Sequence, residues 1–420
     1  MMWRSASMVK AKSIATNFLH LGMIQVSNAL LQLLLFPLII RNTGLEAFGL
    51  VVVANSFAAL AGLLVNFGTS ISGVQAVTSL RGDRHALSVL FTQTMLLRLL
   101  LLLPVVGCLP MVYLLAPPYF TYILPAFVLV VAEALNPLYF FNGQENLLPF
   151  NMANLAAKLV SALLVLVFVN GAADAPLVNL LLGLPALLAY MVLNIVLFRQ
   201  YQLHWQWQGV AGMWQMLRKN MPLTGNNLAV QLQQSFFLFV LSAAASPLVL
   251  AGYAIIDKII WGFRLVLIAF SNALFPRAVQ IAIVDPAIAR QRKKQINTLL
   301  TVLFTLVALV LYLFPSQVVW VFSGTAEPRS ASLVKAICWV PLLAALNTLN
   351  VLEMLVQHRY NQIFRIAILL TLVTITASLL IIKVAGTNYI GWYPFIVEAA
   401  ALGFYTFFLY RNKKEVRLAA

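Results

Sequence analysis

Apolar runs dominate the chain, and nearly all of them have the same length class. About 20 residues, at a rise of about 1.5 Å each, cross the ~30 Å hydrocarbon core of a bilayer. Twelve such runs occur, at 16–40, 47–72, 87–110, 120–141, 149–170, 177–198, 221–244, 249–274, 296–314, 333–356, 361–384 and 389–410. Each predicts a transmembrane helix. Pro and Gly interrupt several of them, as bundled membrane helices tolerate.

Two spans break the apolar pattern at helical spacing. In "NNLAVQLQQS", Asn226 to Ser235, five amides fall within ten residues. At about 100° per residue, Thr224, Asn227, Gln231, Gln234, Ser235 and Ser242 share one side of the seventh span. The first span repeats the pattern with Gln25, Asn28 and Gln32. Such stripes either line a wet cavity or hydrogen-bond across a helix bundle. The density of amides favours the cavity.

The chain also resembles itself. Offset by 203 residues, Asn17 falls on Asn220, Gly22 on Gly225, Phe36 on Phe239, Gly49 on Gly252 and Phe67 on Phe270. The same offset places Asn28 on Gln231 and Gln32 on Ser235. Six spans, an even number, separate the copies, so both run in the same direction, as in parallel-repeat transporters. The predicted fold is an all-α polytopic membrane protein. Its twelve transmembrane helices form two six-helix lobes related by a pseudo-twofold along the membrane normal. The N-terminal lobe is 1–200, a cytoplasmic linker 201–220, and the C-terminal lobe 221–420.

Composition agrees. With 62% hydrophobic and 9% charged residues, no soluble domain could cover its own surface. The net charge of +16 sits in particular loops. If the N-terminus is inside, 18 Lys and Arg fall in cytoplasmic segments and two, Arg41 and Arg329, in outer ones. That asymmetry places both termini in the cytoplasm and accounts for the charge without nucleic acid. Cys108 and Cys338 lie in apolar runs and imply neither a disulfide framework nor a metal site. The apolar segment after MMWRSASMVKAK is too long for a signal-peptide core, so it predicts a retained first helix.

Charges inside spans are the candidate chemistry, because each costs roughly 2.5–3.5 kcal/mol at a helix centre. Arg98 lies in span 3, and Lys158 shares a face of span 5 with Asn151, Asn154 and Ser161. In span 8, Asp257, Trp261 and Arg264 are spaced i, i+4, i+7, with Tyr253 one turn earlier and Lys258 about 100° away. Glu133 stands beside Asn136 and Pro137 in span 4, and Glu353 between Asn350 and Gln357 in span 10. Lys335, Lys383, Glu398 and Arg365 lie near span ends, where pairing with other charges or snorkelling accounts for them. Asp257 is placed to neutralise Arg264 or Lys258. Cations Arg98, Lys158, Lys258 and Arg264 outnumber the central acids Glu133 and Asp257, a balance that suits an anion. Arg would hold phosphate in a fork and Lys as a point charge. The amides of the stripes, with Tyr253 and Trp261, suit a sugar. Glu133, Asp257 and Glu353 are candidates to couple a proton or sodium gradient. No cofactor is implied.

Residues 36–77, "FPLIIRNTGLEAFGLVVVANSFAALAGLLVNFGTSISGVQAV", resemble the first two spans of the Wzx-type O-antigen (oligosaccharide) flippases. These belong to the multidrug/oligosaccharidyl-lipid/polysaccharide exporter superfamily. The resemblance rests on the turn Thr43 to Gly49, on Asn66-Phe67-Gly68, and on Gly252, Tyr253, Lys258 and Pro276 in and after span 8. It implies a monomeric flippase of the bacterial inner membrane. Such a protein moves an undecaprenyl-pyrophosphate-linked glycan from the inner to the outer leaflet through a cationic central cavity, by alternating access. A polysaccharide polymerase and a chain-length regulator would be its partners. Arg98, Lys158, Lys258 and Arg264 match the cationic lumen in kind.

Three other readings compete. A multidrug cation exporter of the same superfamily would hold cations with carboxylates in spans 1 or 7, and these spans contain no Asp or Glu. A lipid II flippase typically has two more spans. A glycan polymerase or ligase would be an enzyme with a large catalytic outer loop, but the longest outer loop offers one Glu and one Arg. The chain contains no P-loop, zinc spacing or nucleophile–base motif, and His20, His85, His204 and His358 are scattered.

Overall fold

The computed structural model describes residues 35–418 apart from 208, 285 and 358. Most of the first predicted span, with Gln25, Asn28 and Gln32, lies outside them. Among the described residues there is no strand, and ten helical segments are long and apolar enough to cross a membrane. They fall on predicted spans two to seven and nine to twelve. The eighth predicted span falls within the helix Pro247–Val284. The chain is a multi-pass membrane protein.

Hydropathy locates these helices but misses their ends. The helix holding the seventh span runs over Val210–Ala244, 35 residues, or about 52 Å. Its neighbour Pro247–Val284 has 38 residues. The next helix starts at Pro286, ten residues before the predicted span. A polar extension stays helical when nothing breaks it, so the sequence places the lipid crossing and not the helix. Conversely, several spans are broken. Helix Leu45–Asn66 ends at Phe67 and Gly68, both at positive φ, before Thr69–Ser79. Helix Pro117–Ala134 stops before Asn136 and Pro137, and Leu138–Gly143 follows. Proline lacks the amide hydrogen and disfavours helix in the residue before it.

The chain divides into two compact units, one containing 42–231 and the other 36–41 with 232–420. The boundary therefore falls inside the helix Val210–Ala244. In the first unit, Leu45–Asn66 and Val178–Tyr201 both pack along Pro117–Ala134. Ala54, Ala58, Ala61 and Ala134 form part of that contact, and small residues let helices approach closely where no hydrophobic effect drives them together. A second cluster, around Phe91, Phe140, Phe141, Phe150 and Leu197, joins the other ends of the helices. In the second unit, Val340–Val356 packs against Pro247–Val284, Pro286–Leu313 and Trp392–Leu418. Its core includes Leu267, Phe304, Ala345 and Leu349.

Residues 203–207, within the predicted cytoplasmic linker, are pinned to the helix Arg84–Gly107. The His204 and Gln206 amides donate to Ser88 Oγ and Thr92 Oγ1, each at 3.1 Å, and Leu203 is buried.

Gly68 sits at φ +71°, and a Cβ there would lie 3.1 Å from Leu223 Cβ and 3.3 Å from Asn220 O. At the matching repeat position stands Ser271, and that helix runs through unbroken. Gly82, at φ +92°, has open space around it. Alanine at either site should cost about 1 kcal/mol of backbone strain, and at Gly68 a steric term as well. Thermal unfolding in detergent should show a clearly larger fall for Gly68→Ala than for Gly82→Ala. Equal falls would mean that the approach to Leu223 has room to spare.

Candidate functional site

The helix breaks in the first unit expose backbone carbonyls where no water can satisfy them. Side chains take them up. Asn194 Nδ2 donates to Leu135 O at 2.7 Å, and Arg98 Nη1 donates to Asn136 O at 2.7 Å. Arg98 Nε donates to Thr69 Oγ1 at 2.9 Å, and Thr69 donates to Asn66 O at 2.5 Å. Glu133 completes the circuit, accepting from Asn66 Nδ2 at 2.5 Å and from Asn136 Nδ2 at 3.0 Å. Five residues thus form one ring of hydrogen bonds holding one positive and one negative charge. Arg98 is 2% exposed, and its guanidinium lies 5.0 Å from the centre of the Tyr139 ring. Arg98 was expected to line a cavity and Glu133 to couple an ion; the structure brings both into this ring of hydrogen bonds. Asn66, Thr69 and Asn136 were not among the predicted site residues. Their signal was the coincidence of Asn with a helix break.

In the second unit the acid opposite Arg264 is Glu398. Arg264 Nη2 lies 2.7 Å from Glu398 Oε1, and Asn347 Nδ2 donates to Glu398 Oε2 at 2.7 Å. Of the two cations considered for Asp257, the structure pairs it with Lys258. Arg264 is neutralised by Glu398 from Trp392–Leu418 instead. Glu398, expected to pair or to snorkel, is paired: it is 8% exposed and held by two donors. Helical spacing compares residues on one helix, so it favoured Asp257 over a partner 134 positions away. The Arg264 side chain keeps 38% of its surface exposed against 10% for Glu398.

The other candidates separate by their partners. Lys258 lies 3.5 Å from Asp257 and 5.0 Å from the Phe36 ring centre, and Asp257 keeps 36% of its side chain exposed. Glu353 is bound by Lys293, with Gln357 donating to its other oxygen at 3.1 Å. Lys293, counted from sequence as a loop charge, also reaches Asn350 at 3.1 Å. Lys158 is half-buried beside buried Asn154 and Ser161, and no hydrogen bond or ion pair to it is found among the described residues. Tyr253 is 4% exposed in an aromatic cluster, 4.8 Å from Phe237, which stacks on Tyr393 at 4.0 Å. That gives Tyr253 a packing role. Trp261 is half-buried. Lys335, expected to pair or to snorkel, sits 4.5 Å from the Tyr312 ring centre.

One amide of the seventh span takes the cross-helix role considered from sequence. Gln233, outside the predicted stripe, donates to Ala367 O at 3.1 Å and Thr371 Oγ1 at 2.5 Å, and so fastens this helix to Tyr360–Leu380. Within the stripe, Gln234 is exposed, Asn227 and Gln231 are half-buried, and Ser235 and Thr224 are buried. The open depression lined by Gln291, Lys294, Gln295 and Thr298 contains none of the candidates. Among the described residues no group of His, Cys, Asp and Glu could hold a metal ion.

Arg98 and Glu133 are joined through the ring and not in direct contact, and removing one charge while the other stays behind in such a buried network costs on the order of 3 kcal/mol. Arg98→Ala should therefore lower the folded yield and not only activity. The double change Arg98→Gln with Glu133→Gln should recover much of that yield, measured as monodisperse protein from solubilised membranes. Full yield of Arg98→Ala would disprove the bracing role.

Three comparisons bear on what the site does. Residues 14–282 match the model of a family described as polysaccharide biosynthesis protein. Over 355 residues the chain is 20% identical to an Escherichia coli (strain K12) protein named "Putative O-antigen transporter", covering 84% of this chain and 86% of that one. Among solved structures, an inward-facing multidrug resistance MATE family transporter of the MOP superfamily superposes with a TM-score of 0.67. It is 14% identical, with 96% of each chain covered. A Vibrio cholerae MATE transporter gives a TM-score of 0.55 at 14% identity, covering 97% of this chain and 98% of that one.

Proposed function

The chain belongs to the polysaccharide biosynthesis protein family, and from that premise we propose that it is a flippase for a lipid-linked glycan. Its substrate is an undecaprenyl-pyrophosphate-linked oligosaccharide, an O-antigen or other surface polysaccharide repeat unit. It moves this unit from the inner to the outer leaflet of the bacterial inner membrane. The observation that carries the reading is similarity along 84% of the chain to a protein named as an O-antigen transporter, joined to the family match. The likeness to MATE transporters supports the fold alone. Twelve helices in two lobes, with both termini cytoplasmic, are part of the proposal, as are a monomeric state and association with a polymerase and a chain-length regulator.

The mechanism follows from which charges are committed elsewhere. Arg98 positions helices, its donors already engaged by Thr69 and Asn136. Lys158, Lys258 and Arg264 are the cations proposed to meet the pyrophosphate during alternating access. Arg264 is best suited, since Glu398 holds it from one side while over a third of its side chain stays reachable. The fork of a guanidinium can serve a carboxylate and a phosphate at once. The exposed amide of Gln234, with Asn227 and Gln231, offers donors and acceptors to sugar hydroxyls. Of the three acids considered for ion coupling, Glu133 accepts from two amides and Glu353 pairs with Lys293. Asp257 keeps 36% of its side chain exposed against 17% for Glu353, so we assign proton or sodium coupling to it. No cofactor is invoked.

The test is surface glycan per unit of folded protein, in cells that depend on this chain for export. Arg264→Lys keeps the pair with Glu398 and should fold. It should lose transport on the order of ten-fold, the size of one charge-assisted hydrogen bond. Lys158→Gln should also lose transport at unchanged yield. Wild-type export by both variants would remove the cationic site. Energised efflux of a cationic dye, with no effect on surface glycan, would instead favour the multidrug reading.

A further inference from the structure

One stretch of the first unit has no part in the transport mechanism proposed above. Residues 203–221, LHWQWQGVAGMWQMLRKNM, carry three of the chain's eight tryptophans. All three are largely exposed: Trp205 61%, Trp207 54% and Trp214 65%. A free loop in water would have no use for so much bared aromatic surface. Yet the segment is held in place, by the His204 and Gln206 amides on Ser88 and Thr92. Trp205 is itself wedged, 5.3 Å from the Phe198 ring and 6.4 Å from Phe91.

The helical part has a defined exposed face. Val210, Trp214 and Met221 are 74%, 65% and 67% exposed. At about 100° per residue they lie within about 40° of one another. Met213 and Asn220, on the adjoining side, are buried. Arg218 borders the apolar stripe, Lys219 follows, and both are exposed. Exposed Arg199 and Arg84 flank the segment's start, Arg84 through a hydrogen bond to Gln202. No Asp or Glu occurs anywhere from Ala175 to Ile256. The acid at the start of the supporting helix, Asp83, is engaged as its N-cap, accepting from the Ala86 amide at 3.0 Å.

Tryptophans combined with cations and no acids match the headgroup zone of a membrane. Indole rings sit at the level of the headgroups, and basic side chains reach the anionic phosphates of the cytoplasmic leaflet. We propose that residues 203–221 form a seat for anionic phospholipid headgroups in the cytoplasmic leaflet, with Trp207 and Trp214 inserted at headgroup depth and Arg218 and Lys219 on the phosphates. The segment is then a membrane-surface anchor of the first unit rather than an aqueous linker. This is independent of the glycan that the protein carries.

The experiment uses the full-length protein reconstituted in vesicles of phosphatidylcholine with phosphatidylglycerol. One lipid at a time carries bromine on its acyl chains, either close to the headgroup or near the chain end. The signal is the tryptophan emission of the wild-type protein minus that of the double variant Trp207→Phe with Trp214→Phe. If that variant folds poorly, Trp214→Phe alone supplies the same difference. We expect stronger quenching by bromine near the headgroup, and stronger quenching by brominated phosphatidylglycerol than by brominated phosphatidylcholine. The preference should be about 5-fold for each cation, equivalent to about 1 kcal/mol near an anionic surface. Arg218→Gln with Lys219→Gln should abolish it. Stronger quenching at the chain end overturns the proposed depth. Equal quenching by the two brominated lipids in the wild-type protein overturns the anionic headgroup.

Discussion

A backbone carbonyl freed inside a membrane must find a donor in the protein, and much of the first unit is arranged around that requirement. The breaks at Phe67–Gly68 and at Asn136–Pro137 release carbonyls where lipid offers no hydrogen bond. Arg98 and Asn194 answer at the second break, and Thr69 links the first to Arg98. An arginine alone would leave a buried charge, so Glu133 balances it, and Asn66 and Asn136 share out the carboxylate oxygens. The close packing of Leu45–Asn66 on Pro117–Ala134 through small residues makes these distances possible.

The second unit meets the same problem differently. With Ser271 where the first unit has Gly68, the helix Pro247–Val284 runs through, and no pair of carbonyls needs rescue there. Its arginine is therefore free to take another place, on Glu398 and Asn347 across three helices, with part of its surface left open. Arg98 is a brace with all its observed donors inside the protein, and Arg264 keeps part of its side chain exposed.

The division of labour among the charges follows. Ionisable groups in a membrane are costly, so each must have a partner or a use. Arg98, Glu133, Glu353 and Glu398 have partners. Arg264, Lys258 and Asp257 have partners and partial exposure. Lys158 is half-buried among polar neighbours. The proposed glycan site draws on this last group.

What the sequence determined was what depends on local composition and on counting. Length and apolarity marked the ten described crossings, because the bilayer imposes one length on every span. The residue types of the candidate site were legible too, since a charge among leucines stands out whatever surrounds it. Two things were decided only in three dimensions. Helix ends outran the apolar runs, as at Val210–Ala244, because helix continues through polar sequence until a Gly, Pro or cap stops it. The partner of each charge also could not be read. Asp257, placed by sequence to neutralise Arg264 or Lys258, pairs with Lys258, and Glu398, 134 residues away, takes Arg264. Pairing in a bundle is set by which helices pack together and at what height. A side chain's position along its own helix carries no record of either.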